Sequence, residues 1–169
     1  TVLVTRLGYM LYCKGIPPER ILTVTYTVAA TKDMKSRFTS IFGEDHAGKL
    51  TFRTINGLCA VVIGYYARQK NTEAFALLDD ERQIKSVIRD LLARTGTAFP
   101  SDQQVSDART HITYCKNMML TEAEIHAHKV DGMDFPRVYF EYQDYLRRSR
   151  RMDYDDQMVF ACRIFRQYP

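Results

Sequence analysis

Two short apolar runs rich in β-branched residues stand in the first third of the chain, at 21–26 and 50–54. Runs of this length predict β-strands, and the first is apolar enough to predict a strand buried on both faces of a parallel sheet. Apolar residues recur at helical spacing in the segments around them, 2–13, 28–38 and 55–68. This order predicts part of a parallel sheet joined by right-handed crossovers.

The rest of the chain has a helical pattern. The polar, glycine-containing segment 42–49 predicts a surface loop, and no further strand is predicted after Leu78. Helices with capping residues at their starts are predicted to begin near residues 80, 101, 121, 136 and 153. The predicted fold class is therefore α/β and predominantly helical, a partial parallel sheet followed by an all-α part.

Composition adds few constraints. The 169 residues carry a net charge of +4 and a pI near 8.9, which permits binding to a polyanion without requiring it. No apolar run is long enough to span a membrane and no leader peptide is recognisable, so we expect a cytoplasmic protein. The four cysteines lie in apolar helical segments and are expected to be buried, reduced thiols. His111 and Cys115 are four residues apart, which matches no standard zinc-ligand pattern.

The segment that follows the first strand resembles a known motif. The residues that match it are Thr25, Tyr26, Thr27, Ala30, Asp33 and Met34. They are similar to the ITFTNKAAxEM segment of the UvrD/Rep family of superfamily 1 DNA helicases, which lies against single-stranded DNA. Val28 stands where the family has Asn, and Ala29 stands where it has Lys.

Two further segments resemble the same family in the same order. The sequence TFRTINGLCAVVI resembles the TFHSL or TFHGL motif, with Arg53 in place of the usual His. An arginine can still hold a phosphate. The later run resembles the family's Y..Y...L......DFDDLL helix pair, with Gln157 in place of Leu. Its matching positions are Tyr139, Tyr142, Leu146, Asp153, Tyr154, Asp155 and Asp156.

The resemblance implies a domain organisation. It places residues 1–54 in a partial first RecA-like motor domain of the P-loop NTPase type. Residues 55–163 would form a helical subdomain inserted into that domain, and residues 164–169 would return to the motor domain.

The resemblance also implies a function for a longer parent protein, an ATP-dependent DNA helicase that translocates on and unwinds DNA, in processes such as DNA repair. Its partners would be single-stranded and duplex DNA and the second RecA-like domain of the same chain, and its cofactors would be ATP and Mg²⁺. The phosphate-binding loop GxxxxGK[ST] does not occur in this sequence; in the family it directly precedes a helix that reads like residues 1–10. We therefore expect this segment alone to bind no ATP, to be inactive, and to hold neither catalytic residues nor a metal.

The two strand-end motifs supply the candidate DNA-binding residues. In the family the residue at Tyr26 is a phenylalanine that stacks on a base, a contact of about 1–3 kcal/mol, although a strand-end tyrosine can also simply be packed. Thr25 and Thr27 could bond phosphates or only cap the helix. The candidates for contact with the DNA backbone are Thr51, Arg53 and Thr54.

Three other groups of charged residues have to be interpreted. The basic run Arg147, Arg148, Arg150 and Arg151 could contact duplex DNA or be a solvated helix end. Lys32, Lys35 and Arg37 are interpreted as a solvated face. The acidic residues Asp153, Asp155 and Asp156 could suggest a metal site, but capping explains acidic residues at a helix start more simply. A second class of function also stays open, a non-catalytic helical module that binds nucleic acid or protein.

Overall fold

A computed structural model describes residues 2–168, which are mostly helical and divide into two compact units, 1–61 and 62–169. The first unit contains helix α1 (Val2–Gly8), a π-helical turn (Tyr9–Cys13), a 3-10 turn (Pro18–Arg20), strand β1 (Leu22–Thr25), helix α2 (Val28–Phe42), helix α3 (Glu44–Ala47), strand β2 (Thr51–Thr54) and the start of helix α4 (Ile55–Gln69). The predicted helices and strands of this unit are confirmed.

Strands β1 and β2 are parallel, with Leu22 opposite Thr51 and Thr25 opposite Thr54. The prediction that β1 is buried on both faces is wrong for this chain. Leu22 and Val24, which lie on one face of the strand, are 47% and 39% exposed. Because the sheet has only two strands within residues 2–168, part of that face stays in contact with solvent.

The core of the first unit forms where α2 packs on both strands and on α1. Its buried residues are Val4, Leu7, Ile21, Phe38, Ala47 and Leu50. Gly8 allows the close approach of α1 to α2, because a Cβ at Gly8 would lie 2.1 Å from the ring of Phe42. Small size at this position is therefore a packing requirement.

The segment 42–49 is not the simple surface loop that its polarity predicts. It contains α3, a one-turn helix, and Ala47 is fully buried. Gly43, with a φ of 88°, ends α2 and lets the chain turn into α3. A single turn of four residues is too short to produce a periodic signal in the sequence.

The second unit contains the rest of α4, followed by β3 (Ala76–Leu77), α5 (Glu81–Arg94), α6 (Asp102–Asn117), α7 (Glu122–Ala127), α8 (Phe135–Arg148), β4 (Arg151–Met152) and α9 (Tyr154–Gln167). The prediction that no strand follows Leu78 is wrong, because β4 pairs in parallel with β3. Strands of two residues give no alternation that a sequence pattern could reveal.

The predicted helix starts of the second unit are confirmed by their caps. Asp80 accepts hydrogen bonds from the backbone N–H groups at the start of α5. Reciprocal capping boxes join Ser101 with Gln104, Thr121 with Glu124, and Asp153 with Asp156. The apolar faces of α5, α6 and α8 then meet in one core. Its fully buried members are Ile88, Leu92, Ala108, Ile112, Phe135, Val138 and Tyr142.

The cysteines are free thiols, but only two of them are buried as predicted. Cys59 and Cys115 are buried, whereas Cys13 and Cys162 are exposed. Cys13 ends the π-helical turn and Cys162 lies on the outer face of α9, so helical context alone does not bury a side chain. None of the helices within residues 2–168 combines the length and apolarity that crossing a membrane requires.

Candidate nucleic-acid interface

The ends of the two parallel strands bring the two sequence motifs together. Thr25 and Thr54, the last residues of β1 and β2, are partners in the sheet register. Each strand leads into a helix start, α2 after β1 and α4 after β2. Residues 25–27 and 53–54 therefore lie at one edge, called here the strand-end edge. Free N–H groups of helix starts at such an edge favour anionic ligands.

Tyr26 is highly exposed at the strand-end edge, with 88% of its surface accessible. Its neighbours Thr25 and Thr27 are bonded to α2, so the ring projects from an ordered backbone. The alternative interpretation, a packed strand-end tyrosine, does not hold within this chain. An exposed ring in this position can stack on a planar group such as a nucleobase.

Thr27 and Thr54 have the same role at the starts of two helices. Thr27 Oγ1 accepts a hydrogen bond from the Ala30 N–H at 3.1 Å, and Thr54 Oγ1 accepts one from the Gly57 N–H at 3.0 Å. Capping, one of the two interpretations of Thr27, is therefore confirmed, and Thr54 caps α4 in the same way. A hydroxyl that accepts still has its own proton, so each can also donate to a phosphate oxygen.

Arg53 and Thr51 differ in their placement. Arg53 lies next to Thr54, is exposed, and makes no ion pair or side-chain hydrogen bond within residues 2–168. Its guanidinium can therefore hold a phosphate without breaking an existing bond. Thr51 opens β2 opposite Leu22, about 10 Å from Thr54 along the strand. The structure thus does not bring Thr51 to the strand-end edge.

The other basic groups are mostly engaged within the chain. Lys32, Lys35 and Arg37 lie on the exposed side of α2, where Arg37 pairs with Asp33 at 2.9 Å, as expected of a solvated face. In the arginine run, Arg147 and Arg148 share the carboxylate of Asp144. Arg150 pairs with Glu73 at 3.4 Å and Arg151 donates to the Gln83 amide oxygen at 3.1 Å. These partners would compete with duplex DNA for the four arginines.

The acidic residues at the start of α9 belong to a buried cluster that the sequence analysis did not predict. Its members, called here the ion cluster, are Arg109, Lys116, Asp153, Asp155 and Asp156. Lys116 Nζ lies 2.8 Å from Asp153 Oδ2 and 2.9 Å from Asp156 Oδ1. The side chains of Lys116 and Asp153 are 2% and 0% exposed. A metal is not needed to explain these carboxylates.

Arg109 completes the ion cluster from the other side. Its guanidinium lies 2.9 Å from Asp155 Oδ2, which also accepts from the Thr113 hydroxyl at 2.8 Å. Tyr142 donates its hydroxyl proton to Asp153 Oδ2 at 3.1 Å. The cluster thus joins α6, α8 and the start of α9 through fully bonded polar groups. Arg109, Thr113 and Lys116 stand on one face of α6, and this polar stripe was the signal available in the sequence.

The ion cluster shifts the pKa values of its carboxyl groups in opposite directions. Burial opposes the charge of Asp153, but Lys116, the Asp156 N–H and Arg109 together outweigh burial and hold the pKa of Asp153 below its ordinary value. Burial raises the pKa of Asp156, and the Asp153 charge adds to this effect. Asp153 has three hydrogen-bond donors, which favour its charged form.

His111 forms a contact other than the zinc pairing with Cys115. His111 Nδ1 lies 2.9 Å from His128 Nε2, and both rings pack on Phe135. Burial raises the pKa of the Cys115 thiol, which disfavours the thiolate that zinc requires. Within residues 2–168 no group of three or more His, Cys, Asp or Glu side chains is placed to hold a metal.

Comparison with known proteins gives the same family that the two strand-end motifs resemble. Residues 1–169 match the UvrD/REP helicase N-terminal domain. The chain is 28% identical to the ATP-dependent DNA helicase PcrA of Staphylococcus epidermidis and 27% identical to that of Staphylococcus aureus, over 173 residues in each case. Each alignment covers 99% of this chain but only 23% of the relative's length. The chain belongs to the UvrD/REP helicase N-terminal domain family.

Proposed function

We propose that the chain is part of an ATP-dependent DNA helicase that translocates on and unwinds DNA, and that single-stranded DNA lies along the strand-end edge. The observation that carries the proposal is the exposed ring of Tyr26 at the carboxyl ends of two parallel strands, where Arg53 is also exposed and has no ion-pair partner within residues 2–168. Tyr26 stacks on a base, while Arg53 and the hydroxyls of Thr27 and Thr54 bind phosphates. The Thr25 hydroxyl is bonded within the turn and contributes by holding its backbone.

The proposal includes a larger motor domain. Residues 1–54 are part of a RecA-like domain, residues 55–163 form a helical subdomain inserted into it, and residues 164–169 lead back to the motor. The apolar side chains of Leu22 and Val24 are half-exposed on one face of the sheet. This supports a larger sheet in the parent protein, in which other elements cover that face. A second RecA-like domain of the parent is its partner in the ATP-driven cycle.

ATP and Mg²⁺ are proposed as cofactors of the parent and not of this segment. The sequence has no GxxxxGK[ST] loop, so the residues present do not fit a triphosphate with its metal. The segment alone should therefore show no ATPase activity, with or without DNA. DNA-stimulated ATPase activity in a longer protein with an intact loop ahead of Thr1 supports the helicase. A parent coding sequence without that loop would leave the non-catalytic interaction module as the function.

Single-strand affinity tests the proposed interface directly. A fluorescein-labelled oligo(dT) is titrated with the chain at low salt, and anisotropy gives the Kd. Tyr26→Ala should weaken binding about 5- to 150-fold, the range for one lost base–aromatic stack. Tyr9→Ala is the matched control, since Tyr9 is 50% exposed in the same unit but lies away from the strand-end edge. Equal affinity of the Tyr26→Ala variant and the wild type would overturn the stacking role.

Contact of the arginine run with duplex DNA is proposed as a weaker, electrostatic interaction. Neutralising Arg147 and Arg148 together to Gln should lower the slope of log affinity against log salt by about 2, because each lost phosphate contact lowers it by about 1. Arg82→Gln with Arg89→Gln on the exposed side of α5 is a control of equal charge change. An unchanged slope in the Arg147/Arg148 variant would remove this contact from the proposal.

A further inference from the structure

The turn that presents Tyr26 is tied to the first turn of α2 by the hydroxyl of Thr31. Thr31 Oγ1 lies 2.6 Å from Thr25 Oγ1 and 3.0 Å from the Thr27 carbonyl oxygen. Thr25 Oγ1 lies 3.1 Å from the same carbonyl oxygen. Three polar groups thus close a triangle that spans the end of β1, the turn and α2.

The protons available fix how this triangle is bonded. Each hydroxyl has one proton, and oxygens 2.6 Å apart require that one hydroxyl donates to the other. The second hydroxyl then donates to the Thr27 carbonyl. Whichever threonine donates first, the link between strand and helix runs through Thr31. If the Thr31 hydroxyl is removed, the Thr25 hydroxyl can bond only to the carbonyl of Thr27. The side-chain connection from Thr25 to residue 31 of α2 is then lost.

The direction of the Tyr26 ring depends on the backbone of this turn. With 88% of its surface exposed, the ring takes its direction from the backbone of 25–27 and not from packing. A turn that must become ordered on binding reduces affinity, whereas a turn that is already ordered does not. The Thr27 cap fixes the helix side of the turn, and the Thr25–Thr31 bond fixes the strand side.

We propose that Thr31 is a positioning residue for single-strand binding, whose hydroxyl holds the turn 25–27 in the conformation that presents Tyr26 to a base. The inference rests on the proposed function of the strand-end edge. Thr31 itself acts through Thr25 and Thr27 and needs no contact with the DNA.

Two variants separate the hydroxyl from the shape of the side chain. Thr31→Val keeps the shape without the hydroxyl and should weaken oligo(dT) binding about threefold to tenfold, the effect of ordering one segment on binding. Thr31→Ser keeps the hydroxyl and should bind within about twofold of the wild type. Thr39→Val is the matched control, because Thr39 donates to the Lys35 carbonyl at 3.0 Å in the same helix, away from the turn.

A backbone measurement and a double-mutant cycle distinguish positioning from general stability. The ¹⁵N order parameter of the Tyr26 amide should fall toward the flexible range, below about 0.6, in Thr31→Val and stay high in Thr39→Val. In a Tyr26→Ala background, Thr31→Val should have no further effect on binding. If Tyr26→Ala alone leaves affinity unchanged, the proposed function fails and this inference fails with it. If Tyr26→Ala weakens binding but Thr31→Val does not, or weakens it equally in both backgrounds, only the role of Thr31 is refuted.

Discussion

Replacement of Lys116 by methionine removes the central cation of the ion cluster and nearly preserves the shape of the side chain. Lys116 Nζ is within 2.9 Å of carboxylates of both Asp153 and Asp156 and lies 5.0 Å from the centre of the Tyr142 ring. In the variant, two adjacent carboxyl groups have no cation between them. Arg109 does not substitute, since its nearest atom is 3.8 Å from Asp153 and is already bonded to Asp155.

The expected loss of stability at pH 7 is about 3–5 kcal/mol, the usual effect of removing one partner from a buried ion pair. Protonation limits this loss, because a carboxyl group that takes up a proton no longer needs the cation. Asp156 is the group that protonates, since burial and the Asp153 charge already raise its pKa. Acid therefore stabilises the variant relative to the wild type, and the difference should shrink between pH 7 and pH 5.

Urea unfolding at both pH values, followed by circular dichroism, measures the loss of stability. The shift of the urea midpoint gives this loss if the dependence of the unfolding free energy on urea concentration is unchanged. Lys85→Met, on the exposed side of α5, is the control and should change the free energy of unfolding by less than about 0.5 kcal/mol. A triple variant removes the unpaired charges together and should recover most of the stability lost in Lys116→Met. It combines Lys116→Met, Asp153→Asn and Asp156→Leu. A loss below about 1 kcal/mol in the single variant, or one that grows toward pH 5, would refute the reasoning.

Three further predictions concern the first unit and the alkaline range. Val28→Asn with Ala29→Lys restores the polar groups of the family motif and should strengthen oligo(dT) binding several-fold at low salt and less at high salt, as anisotropy titrations would show. Gly8→Val should destabilise the chain by about 1–3 kcal/mol in urea, because a Cβ there meets an aromatic ring at 2.1 Å, whereas Gly48→Ala has 3.5 Å of room and should be tolerated. Burial raises the pKa of Tyr139 to about 12, so the folded state keeps a proton that the unfolded state loses above pH 10. Stability should then fall by about 1.4 kcal/mol per pH unit between pH 10 and 12, and Tyr139→Phe should remove that part of the slope.

Features set by neighbouring residues were predictable from the sequence, and features set by distant contacts were not. The cap at Thr27 and the two strand segments follow from local composition. The short elements α3 and β4 give no periodic signal. Lys116 looks like an ordinary helical lysine, and its burial depends on Asp153, 37 residues further along the chain. Likewise the sequence places Tyr26 at a strand end, but only the structure shows that side chains within residues 2–168 leave its ring 88% exposed.

The departures from the first two family motifs fall at side chains that do not cap the helices of the strand-end edge. Val28 and Arg53 are exposed, whereas the retained Thr27 and Thr54 cap the helices and fix the backbone. In the proposed interface, these substitutions would change the strength and salt dependence of DNA binding and leave the capped backbone in place. Arg53 would add to the salt dependence, because an arginine stays charged at every physiological pH while the histidine found in the family does not. The loss of polar groups at Val28 and Ala29 and the permanent charge at Arg53 would act in opposite directions on affinity, so the proposed binding combines stacking and charge in a different balance from the family motif.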